Sequence, residues 1–400
     1  MNEKPTFCFT LLIILLSIGG LISTDIFLPM LPAMSQNLSV SSSDIQSAIG
    51  IFLFGLSISQ LIYGPVSDSL GRKNVLLSGL FIWLFATIII SVTHHFQLLL
   101  IMRFIQGVGA CSGITVSRAI INDCMDKKTA GGFYLTIFPF VGLSPAIAPV
   151  IGGFFGLHFG WRSCFVLLTA IIILTILLCQ FTLKETLSET KRSHLHVQSF
   201  IGHINPIRHN RQFWHYALIP CFAYAAYFSY LVESPFILEK LGLNKSWLSY
   251  SYITLSMTYL IGNLTAKRLI RRLSSDQALT MGYIIFLTAG IAFAGQIAFS
   301  PYPILTTVIM ISILTFANGF LLPLGTAGAI ASAPEQAGSA SGIMGFIQLA
   351  SAGLASSIIG KLSHHNPLIS AAIIALITCS GALYYWSGQR HFKLAISSQP

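Results

Sequence analysis

Twelve long apolar segments follow one another along the chain, and short polar stretches that carry nearly all the charges separate them. A membrane-spanning helix needs about 20 mainly apolar residues, and long unbroken runs such as Val75–Val92 and Phe165–Cys179 favour helices. Strands of a membrane barrel would alternate polar and apolar residues over about ten positions. The pattern predicts an all-α membrane protein with twelve transmembrane helices. They are predicted over 7–29, 45–66, 75–92, 98–118, 132–155, 163–183, 213–237, 247–266, 278–299, 303–327, 339–360 and 368–387.

The longest polar stretch, Lys184–Gln212, divides these helices into two sets of six. It is too short for a domain, so we interpret 184–212 as a cytoplasmic linker between a six-helix bundle over 1–183 and a second bundle over 213–400. Two such pseudo-symmetric halves match the repeat plan of many secondary transporters. A weak internal repeat supports them, because Gly64–Lys73 after helix 2 and Gly262–Arg272 after helix 8 both begin with glycine and end on basic residues.

The distribution of basic residues orients the chain in the membrane. With the N-terminus in the cytoplasm, 17 of the 22 Lys and Arg residues fall on the cytoplasmic side and four on the other. We therefore expect a multi-pass protein of the bacterial inner membrane with both termini in the cytoplasm. This orientation also explains the net charge of +10 without nucleic acid, since the sequence has no basic–aromatic arrays that bind single strands.

Composition agrees with a membrane protein and argues against several other classes. Charged residues make up only 8% of the chain, against roughly a quarter in soluble domains. The seven scattered cysteines include no C-x-x-C pair, so we expect no disulfide framework, no metal site and no cofactor. No phosphate-binding loop, H-E-x-x-H or G-x-S-x-G motif occurs, so neither ATP-driven transport nor an enzyme is expected. The apolar stretch Phe7–Ile22 imitates a signal peptide, but we expect it to be retained as the first helix.

Three charged residues fall well within predicted helices, namely Asp25, Arg103 and Glu233. A charge near the bilayer centre costs several kcal/mol, with estimates from roughly 2.5 upward, so such residues usually line a cavity and act in transport. Asp25 and Arg103 lie at comparable depth, and we predict that they couple proton movement to transport, with Asp25 as the proton carrier. The alternatives are a structural cap at the Pro29 break for Asp25 and an anchor to helix carbonyls for Arg103.

Glu233 lies near the outer end of predicted helix 7, which also carries several tyrosines. It either reaches interfacial water or serves as a second proton site or counter-charge for a cationic substrate. Tyr224, Tyr227 and Tyr230 recur at every third residue. We predict a substrate cavity that includes Asp25, Tyr227, Tyr230 and Glu233, with plain packing of the tyrosines as the alternative.

Three motifs resemble those of the major facilitator superfamily. Gly64–Lys73, between helices 2 and 3, resembles its signature loop, and Arg103–Gly109 on helix 4 resembles a motif of its proton-coupled members. Gly142–Gly153 on helix 5 resembles the motif associated with its antiporters, although Ala148 stands where glycine is usual. The resemblance implies the major facilitator fold.

Further motifs are similar to the Bcr/CflA drug-resistance transporters, and they extend from helix 1 to helix 11. They are Thr24–Pro32, Ser117–Asp123, Trp161–Phe165, Glu185–Leu187 and Gly338–Gln348. The resemblance implies a monomeric proton antiporter that exports small hydrophobic or amphiphilic compounds, drugs among them, by alternating access. A dedicated exporter of an endogenous metabolite, such as a siderophore or peptide, is the main alternative, and an uptake symporter is disfavoured by the helix-5 motif.

Two of these motifs have a predicted mechanical role. We expect Gly64, Asp68, Gly71 and Arg72 to form a conformational latch at a tight cytoplasmic turn, with Asp68 meeting a helix N-terminus or pairing with a basic residue; the alternative is a solvated turn. On helix 5, small and cyclic residues would permit close helix approach and bending, or only ordinary packing. They are Gly142, Pro145, Pro149, Gly152 and Gly153.

Overall fold

The computed structural model describes residues 6–187, 192, 206–299, 303–363 and 366–397, which form twelve long helices and no strand. The all-α, twelve-helix prediction is confirmed. The helices are α1 (Phe7–Asp25), α2 (Ser42–Leu70), α3 (Arg72–Val92), α4 (Phe96–Cys124), α5 (Lys127–Phe159), α6 (Arg162–Thr182), α7 (Arg211–Lys240), α8 (Lys245–Leu269), α9 (Ser275–Phe299), α10 (Pro303–Ala331), α11 (Ala337–Ser363) and α12 (Pro367–Ser397).

Most helices run past the ends that hydropathy predicted, and polar residues cap several of them. The Ser41 side chain accepts a hydrogen bond from the Asp44 N–H and starts α2, and the Asn210 side chain accepts one from the Phe213 N–H and starts α7. Such caps satisfy N–H groups that have no partner within the helix. Hydropathy reports only the apolar middle of each helix, so the polar end turns were missed.

The first helix is shorter than the predicted 7–29. It ends at Asp25, and a 3-10 turn over Leu28–Met30 and a short helix over Leu31–Asn37 continue the span. Proline has no N–H, and its ring clashes with the carbonyl of the residue four positions earlier. For Pro29 that residue is Asp25, so the position of Pro29 explains why α1 stops where it does.

Eleven helical spans in the described part of the chain are long and apolar enough to cross a membrane, and α8 is not among them. Its many hydroxyl side chains lower its hydropathy, and several bond back to their own helix. Thr258 donates to the Thr254 carbonyl at 2.8 Å, and Thr265 donates to the Ile261 carbonyl at 2.7 Å. These bonds give hydroxyl groups an acceptor within their own helix.

The chain divides into two compact units. The first comprises Met1–Ile201 and Asn244–Ile253, and the second comprises Gly202–Leu243 and Thr254–Pro400. Helices α1 to α6 therefore lie in the first unit, and α7 with α9 to α12 in the second, while α8 begins in the first and continues in the second. Most of the predicted linker, 184–212, lies outside the described residues.

Each unit contains a pair of helices whose backbones touch reciprocally at two glycines, one on each helix. In the first unit, a Cβ at Gly55 of α2 would overlap the Phe104 carbonyl, and a Cβ at Gly107 of α4 would overlap the Phe52 carbonyl. In the second unit, Gly262 of α8 and Gly319 of α10 meet in the same reciprocal way. Small residues allow helices to approach this closely in a membrane. We call these the α2–α4 and α8–α10 glycine contacts.

Candidate functional site

Arg103 lies one helical turn before Gly107 and is completely buried. Its Nε donates to the Ala48 carbonyl of α2 at 3.1 Å, and its Nη1 donates to the Ser23 carbonyl of α1 at 3.1 Å. The same Nη1 donates to the Gln106 side chain at 2.5 Å. One guanidinium therefore fastens α1, α2 and α4 together, which is the geometry of an anchor to helix carbonyls.

Aromatic rings and a polar chain complete the surroundings of Arg103. Its guanidinium carbon lies 4.5 Å from the centre of the Phe27 ring and 4.3 Å from that of Phe52, so the cation meets two π faces. Gln106 donates in turn to the Thr87 hydroxyl of α3 at 2.8 Å. Within the described residues the buried Nη2 of Arg103 has no hydrogen-bond partner. The cation is thus held by carbonyls and rings, and within the described residues no carboxylate forms an ion pair with it.

Asp25 ends α1 and is only 4% exposed. Among the residues that the structure describes, its carboxylate forms no hydrogen bond and no ion pair, and Arg103 binds the neighbouring Ser23 carbonyl instead. Asp25 and Arg103, which are predicted to act together, therefore do not bond to each other. Arg103 binds α1 two residues before Asp25. Burying an ionised carboxylate without a partner costs free energy, so this side chain is suited to carry a proton.

Helix α5 packs directly on the chain that follows Asp25. A Cβ at Gly152 would overlap the Ile26 carbonyl, and one at Gly156 would overlap the Met30 side chain. The Cys164 thiol of α6 donates to the Gly152 carbonyl at 3.3 Å. The C-terminal part of α5 is therefore fixed against the end of α1.

The helix-5 residues singled out in the sequence differ in what they contact. A Cβ at Gly153 would overlap the Ser249 hydroxyl, whereas one at Gly142 would meet nothing within 4 Å. Pro145 and Pro149 lie inside an unbroken α5, and Pro149 is buried. Close approach is therefore a property of Gly152 and Gly153 in this structure and not of Gly142.

The predicted turn at Gly64–Lys73 is mostly helical, which corrects the sequence interpretation. Gly64 and Asp68 lie inside α2, and a Cβ at Gly64 would meet nothing within 4 Å. Only Gly71 makes the turn, with a φ of 92° that side chains of L-residues rarely adopt. Hydropathy placed the end of helix 2 too early because these last turns are polar.

Arg72 is the centre of the predicted latch. Its Nη1 lies 2.5 Å from the Asp68 carboxylate, which is the second of the two predicted roles of Asp68, and it also donates to the Ser67 hydroxyl at 2.7 Å. Its Nε lies 2.9 Å from the carboxylate of Asp123 at the end of α4. The Arg72 side chain is 8% exposed, so two carboxylates from different helices neutralise a buried cation.

Glu185, just after α6, caps the start of α3. Its carboxylate accepts hydrogen bonds from the N–H groups of Arg72, at 2.9 Å, and Lys73, at 3.2 Å, and from those of Thr186 and Leu187. Partial burial raises the pKa of Glu185, but these four N–H donors outweigh it, so the pKa lies below its ordinary value of 4.5. Sequence motifs contained Asp123 and Glu185, but their spacing gave no sign that they meet at α3.

The second unit contains the other intramembrane charge. Glu233 is completely buried and accepts a hydrogen bond from the Ser370 hydroxyl of α12 at 3.2 Å. It therefore does not reach interfacial water, as one interpretation of the sequence held. Tyr230 is 1% exposed and meets the Phe293 ring edge-on, as a core residue does. Tyr224 and Tyr227 are half-buried. Of the predicted cavity residues, Asp25 belongs to the first unit and the other three to the second.

One polar cluster in the second unit was missed at the sequence level. The Thr315 and Thr258 hydroxyls lie 2.7 Å apart between α10 and α8, and Asn318 points its amide at the Ala223 carbonyl of α7 at 3.5 Å. Thr315 and Asn318 precede Gly319 at the spacing at which Arg103 and Gln106 precede Gly107. The similarity between RFIQG at 103–107 and TFANG at 315–319 is the sequence signal that could have identified this cluster.

The two glycine contacts also correct the repeat proposed from the sequence. Gly262 of α8 corresponds by its contact to Gly55 of α2, not to Gly64 as the comparison of the loops suggested. Helix α2 continues to Leu70, whereas α8 ends at Leu269, seven residues beyond Gly262. The second unit therefore lacks the helical extension that carries Asp68 in the first.

Comparison with known proteins identifies relatives over almost the whole chain. A family model described as Major Facilitator Superfamily matches residues 13–356. The chain is 23% identical over 404 residues to a bicyclomycin resistance protein homolog of Haemophilus influenzae, covering 98% of this chain and 99% of that protein. It is 26% identical over 366 residues to multidrug resistance protein D of Escherichia coli, covering 90% and 91%. These relatives confirm the resemblance to Bcr/CflA transporters.

A solved structure agrees with the fold. The D-xylose-proton symporter superposes with a TM-score of 0.72 over 96% of this chain and 98% of its own, at 16% sequence identity. At that identity the similarity concerns the fold alone. The expected arrangement of membrane helices is confirmed.

Proposed function

The chain belongs to the Major Facilitator Superfamily and is a multi-pass membrane transporter, and on that premise we propose that it exports small hydrophobic or amphiphilic compounds, drugs among them, in exchange for protons. The resistance proteins among its relatives supply the substrate class. Export proceeds by alternating access between two six-helix bundles joined by a cytoplasmic linker. The protein acts as a monomer in the bacterial inner membrane, with both termini in the cytoplasm, as the bias of Lys and Arg indicates.

The observation that carries the proton-coupling proposal is the state of Asp25. It is a buried carboxylate without a hydrogen bond or ion pair among the described residues, so binding a proton removes the cost of an uncompensated charge. One proton moving down 100 mV supplies about 2.3 kcal/mol, which is enough for useful accumulation of a substrate. A single titrating group therefore suffices to couple the two fluxes.

The contacts around Asp25 suggest how its protonation would reach the rest of the protein. The Ile26 carbonyl, on the next residue, packs against Gly152 of α5. On the other side, Arg103 holds the Ser23 carbonyl and fixes the end of α1 to α2 and α4. We assign Arg103 to positioning, and α5 to transmitting small movements of the segment after Asp25.

The test is transport by purified protein in liposomes with an imposed pH gradient, using a fluorescent amphiphilic cation as substrate. Asp25→Asn should abolish uphill export, because an amide cannot carry the proton, while insertion and downhill equilibration persist. Asp44→Asn is the matched control, since Asp44 is an exposed carboxylate at the start of α2, and it should export like the wild type. Uphill export by Asp25→Asn at the wild-type rate would eliminate Asp25 as the coupling group.

A further inference from the structure

A surface cavity of about 490 Å³ opens at one end of the second unit, between the start of α7 and the later part of α12. We call it the α7–α12 cavity. Arg211 begins α7, and the apolar run of α12 that the sequence shows over 368–387 ends next to Gly388 in the cavity wall. Both walls therefore lie where apolar spans end, which is the depth of the lipid headgroups.

The lining of this cavity is basic. Arg208, His209, Arg211 and His215 contribute to it, and none of its lining residues is acidic. The Arg208 and Arg211 side chains are exposed, and neither forms a hydrogen bond or ion pair with a described residue. The nearby carboxylate of Asp276 accepts a hydrogen bond from Tyr216 and is not part of the lining. Two guanidinium groups are thus available to an anion.

The walls are held in place by hydrogen bonds. Trp214 donates from its indole nitrogen to the Arg208 carbonyl at 3.1 Å, and Tyr384 donates from its hydroxyl to the Trp214 carbonyl at 3.1 Å. A Cβ at Gly388 would overlap the ring of His215, which is itself only 5% exposed. These contacts fix the start of α7 against α12, so the cavity is preformed.

The geometry points to a phosphate ligand, and we propose that the α7–α12 cavity binds the headgroup of an anionic phospholipid through Arg208 and Arg211. The planar guanidinium presents paired donors that match phosphate oxygens. Basic pockets between membrane helices on the cytoplasmic side suit anionic headgroups, and a tryptophan at this depth is typical of the membrane interface. A free phosphorylated compound offers the same phosphate group, but the position at the ends of two apolar spans favours a lipid whose chains follow the helices.

Binding is measured by native mass spectrometry of the detergent-purified protein titrated with phosphatidylglycerol or phosphatidylcholine. We expect tight retention of phosphatidylglycerol and little of phosphatidylcholine. The double variant Arg208→Gln/Arg211→Gln should bind phosphatidylglycerol about 30-fold more weakly, from the usual contribution of two basic residues near a lipid surface. Arg271→Gln/Arg272→Gln removes the same charge from the exposed turn between α8 and α9, outside the cavity, and should change binding less than about threefold.

Three outcomes would overturn the proposal. Equal losses in both double variants would indicate surface charge without a site, and equal retention of both lipids would exclude headgroup recognition. Displacement of the lipid by excess inorganic phosphate would assign the cavity to a free phosphate compound.

Thermal unfolding of each variant checks its fold, and if the glutamine variant does not fold, Arg208→Lys/Arg211→Lys takes its place. That variant keeps the charge but loses the paired donors, so it should bind several-fold more weakly, and unchanged binding would contradict the proposal.

Discussion

The α2–α4 and α8–α10 glycine contacts are alike in backbone and different in chemistry. In both, two glycines let the helices touch through carbonyl groups, and two polar residues precede the second glycine at the same spacing. In the first unit these are Arg103 and Gln106, whereas in the second they are Thr315 and Asn318. Both units pack their helices in the same way, but among the described residues only the first unit buries a cation, Arg103, beside the contact.

The intramembrane carboxylates extend this comparison. Asp25 of the first unit has no partner among the described residues, whereas Glu233 of the second accepts a hydrogen bond from Ser370. A buried carboxylate that lacks a partner gains most from binding a proton, and one that is hydrogen-bonded gains less. The difference supports the proposal that Asp25 exchanges the proton and that Glu233 serves as a counter-charge for a cationic substrate.

The largest effect is expected when the buried cation of the first unit is replaced by the polar residue found at the same position in the second. Arg103→Thr copies Thr315, but it removes the donors to the Ala48 and Ser23 carbonyls and to Gln106. We expect a loss of about 3 kcal/mol in stability, measured by thermal loss of the monodisperse protein in detergent. Thr315→Ser, which keeps a hydroxyl, should stay within about 1 kcal/mol of the wild type. A stable Arg103→Thr protein would show that Arg103 is not the anchor.

The second test compares α5 with α11, which is the fifth helix of the second set of six. Gly152→Ala forces a Cβ into the Ile26 carbonyl, so α5 must move away from the end of α1, and we expect export to fall by more than tenfold. Gly342→Ala in α11 is the matched control, because a Cβ there would meet nothing within 4 Å. The transport rates of the two variants are compared in liposomes at equal protein content. Comparable losses in both variants would argue against a particular role of the α5 contact.

Substrate charge sharpens the contrast between the two carboxylates. If Glu233 is a counter-charge, Glu233→Gln should weaken transport of a cationic substrate by a few kcal/mol, as loss of a desolvated ion pair does, and spare a neutral one. Proton coupling should survive, because Asp25 remains.

Ser370→Ala supplies the control for that variant. It keeps the Glu233 carboxylate and removes one hydrogen bond to it, so its effect on the cationic substrate should be about fivefold or smaller. Equal losses for both substrates in Glu233→Gln would reject the counter-charge role and favour a structural or proton role.

The smallest expected effect concerns the Glu185 carboxylate that caps the start of α3. The described α8–α9 turn in the second unit shows no cap of this kind. Because the pKa of Glu185 is lowered below 4.5, its stabilising contribution is present above that pH and is lost as the pH falls through the lower value. Glu185→Gln should therefore be slightly less stable than the wild type at pH 7, and the difference should vanish in more acidic solution. Thermal unfolding at several pH values measures it, and a gap that widens towards acid would contradict the assignment.

Orientation can be checked on the same two units. In a variant without native cysteines, Ser274→Cys, in the exposed α8–α9 turn, should react with an impermeant thiol reagent only after cells are opened. His95→Cys, in the exposed α3–α4 turn, should react in intact cells. The reverse labelling pattern would overturn the predicted topology.

The sequence by itself determined the twelve helices, because each apolar run reports the free energy of placing its own residues in lipid, and that quantity is local. It also identified the three intramembrane charges, since a charged residue within an apolar run is visible in the local sequence whichever helices surround it. The sequence motifs also indicated the major facilitator superfamily. For the same reason the sequence could not fix polar helix ends, and it placed Gly64 in a turn that only Gly71 makes.

Tertiary structure alone decided which groups meet. That Arg103 binds two helix carbonyls and not Asp25, that Asp123 and Glu185 converge on the start of α3, and that Gly152 touches Ile26 all depend on the rotation and register of packed helices. These are set by many weak contacts between residues far apart in the chain, and a local pattern carries no record of them. The RFIQG and TFANG segments show where prediction from sequence ends. Their similarity is visible in the sequence, but the helix carbonyls and side chains that they contact are fixed only when the helices pack.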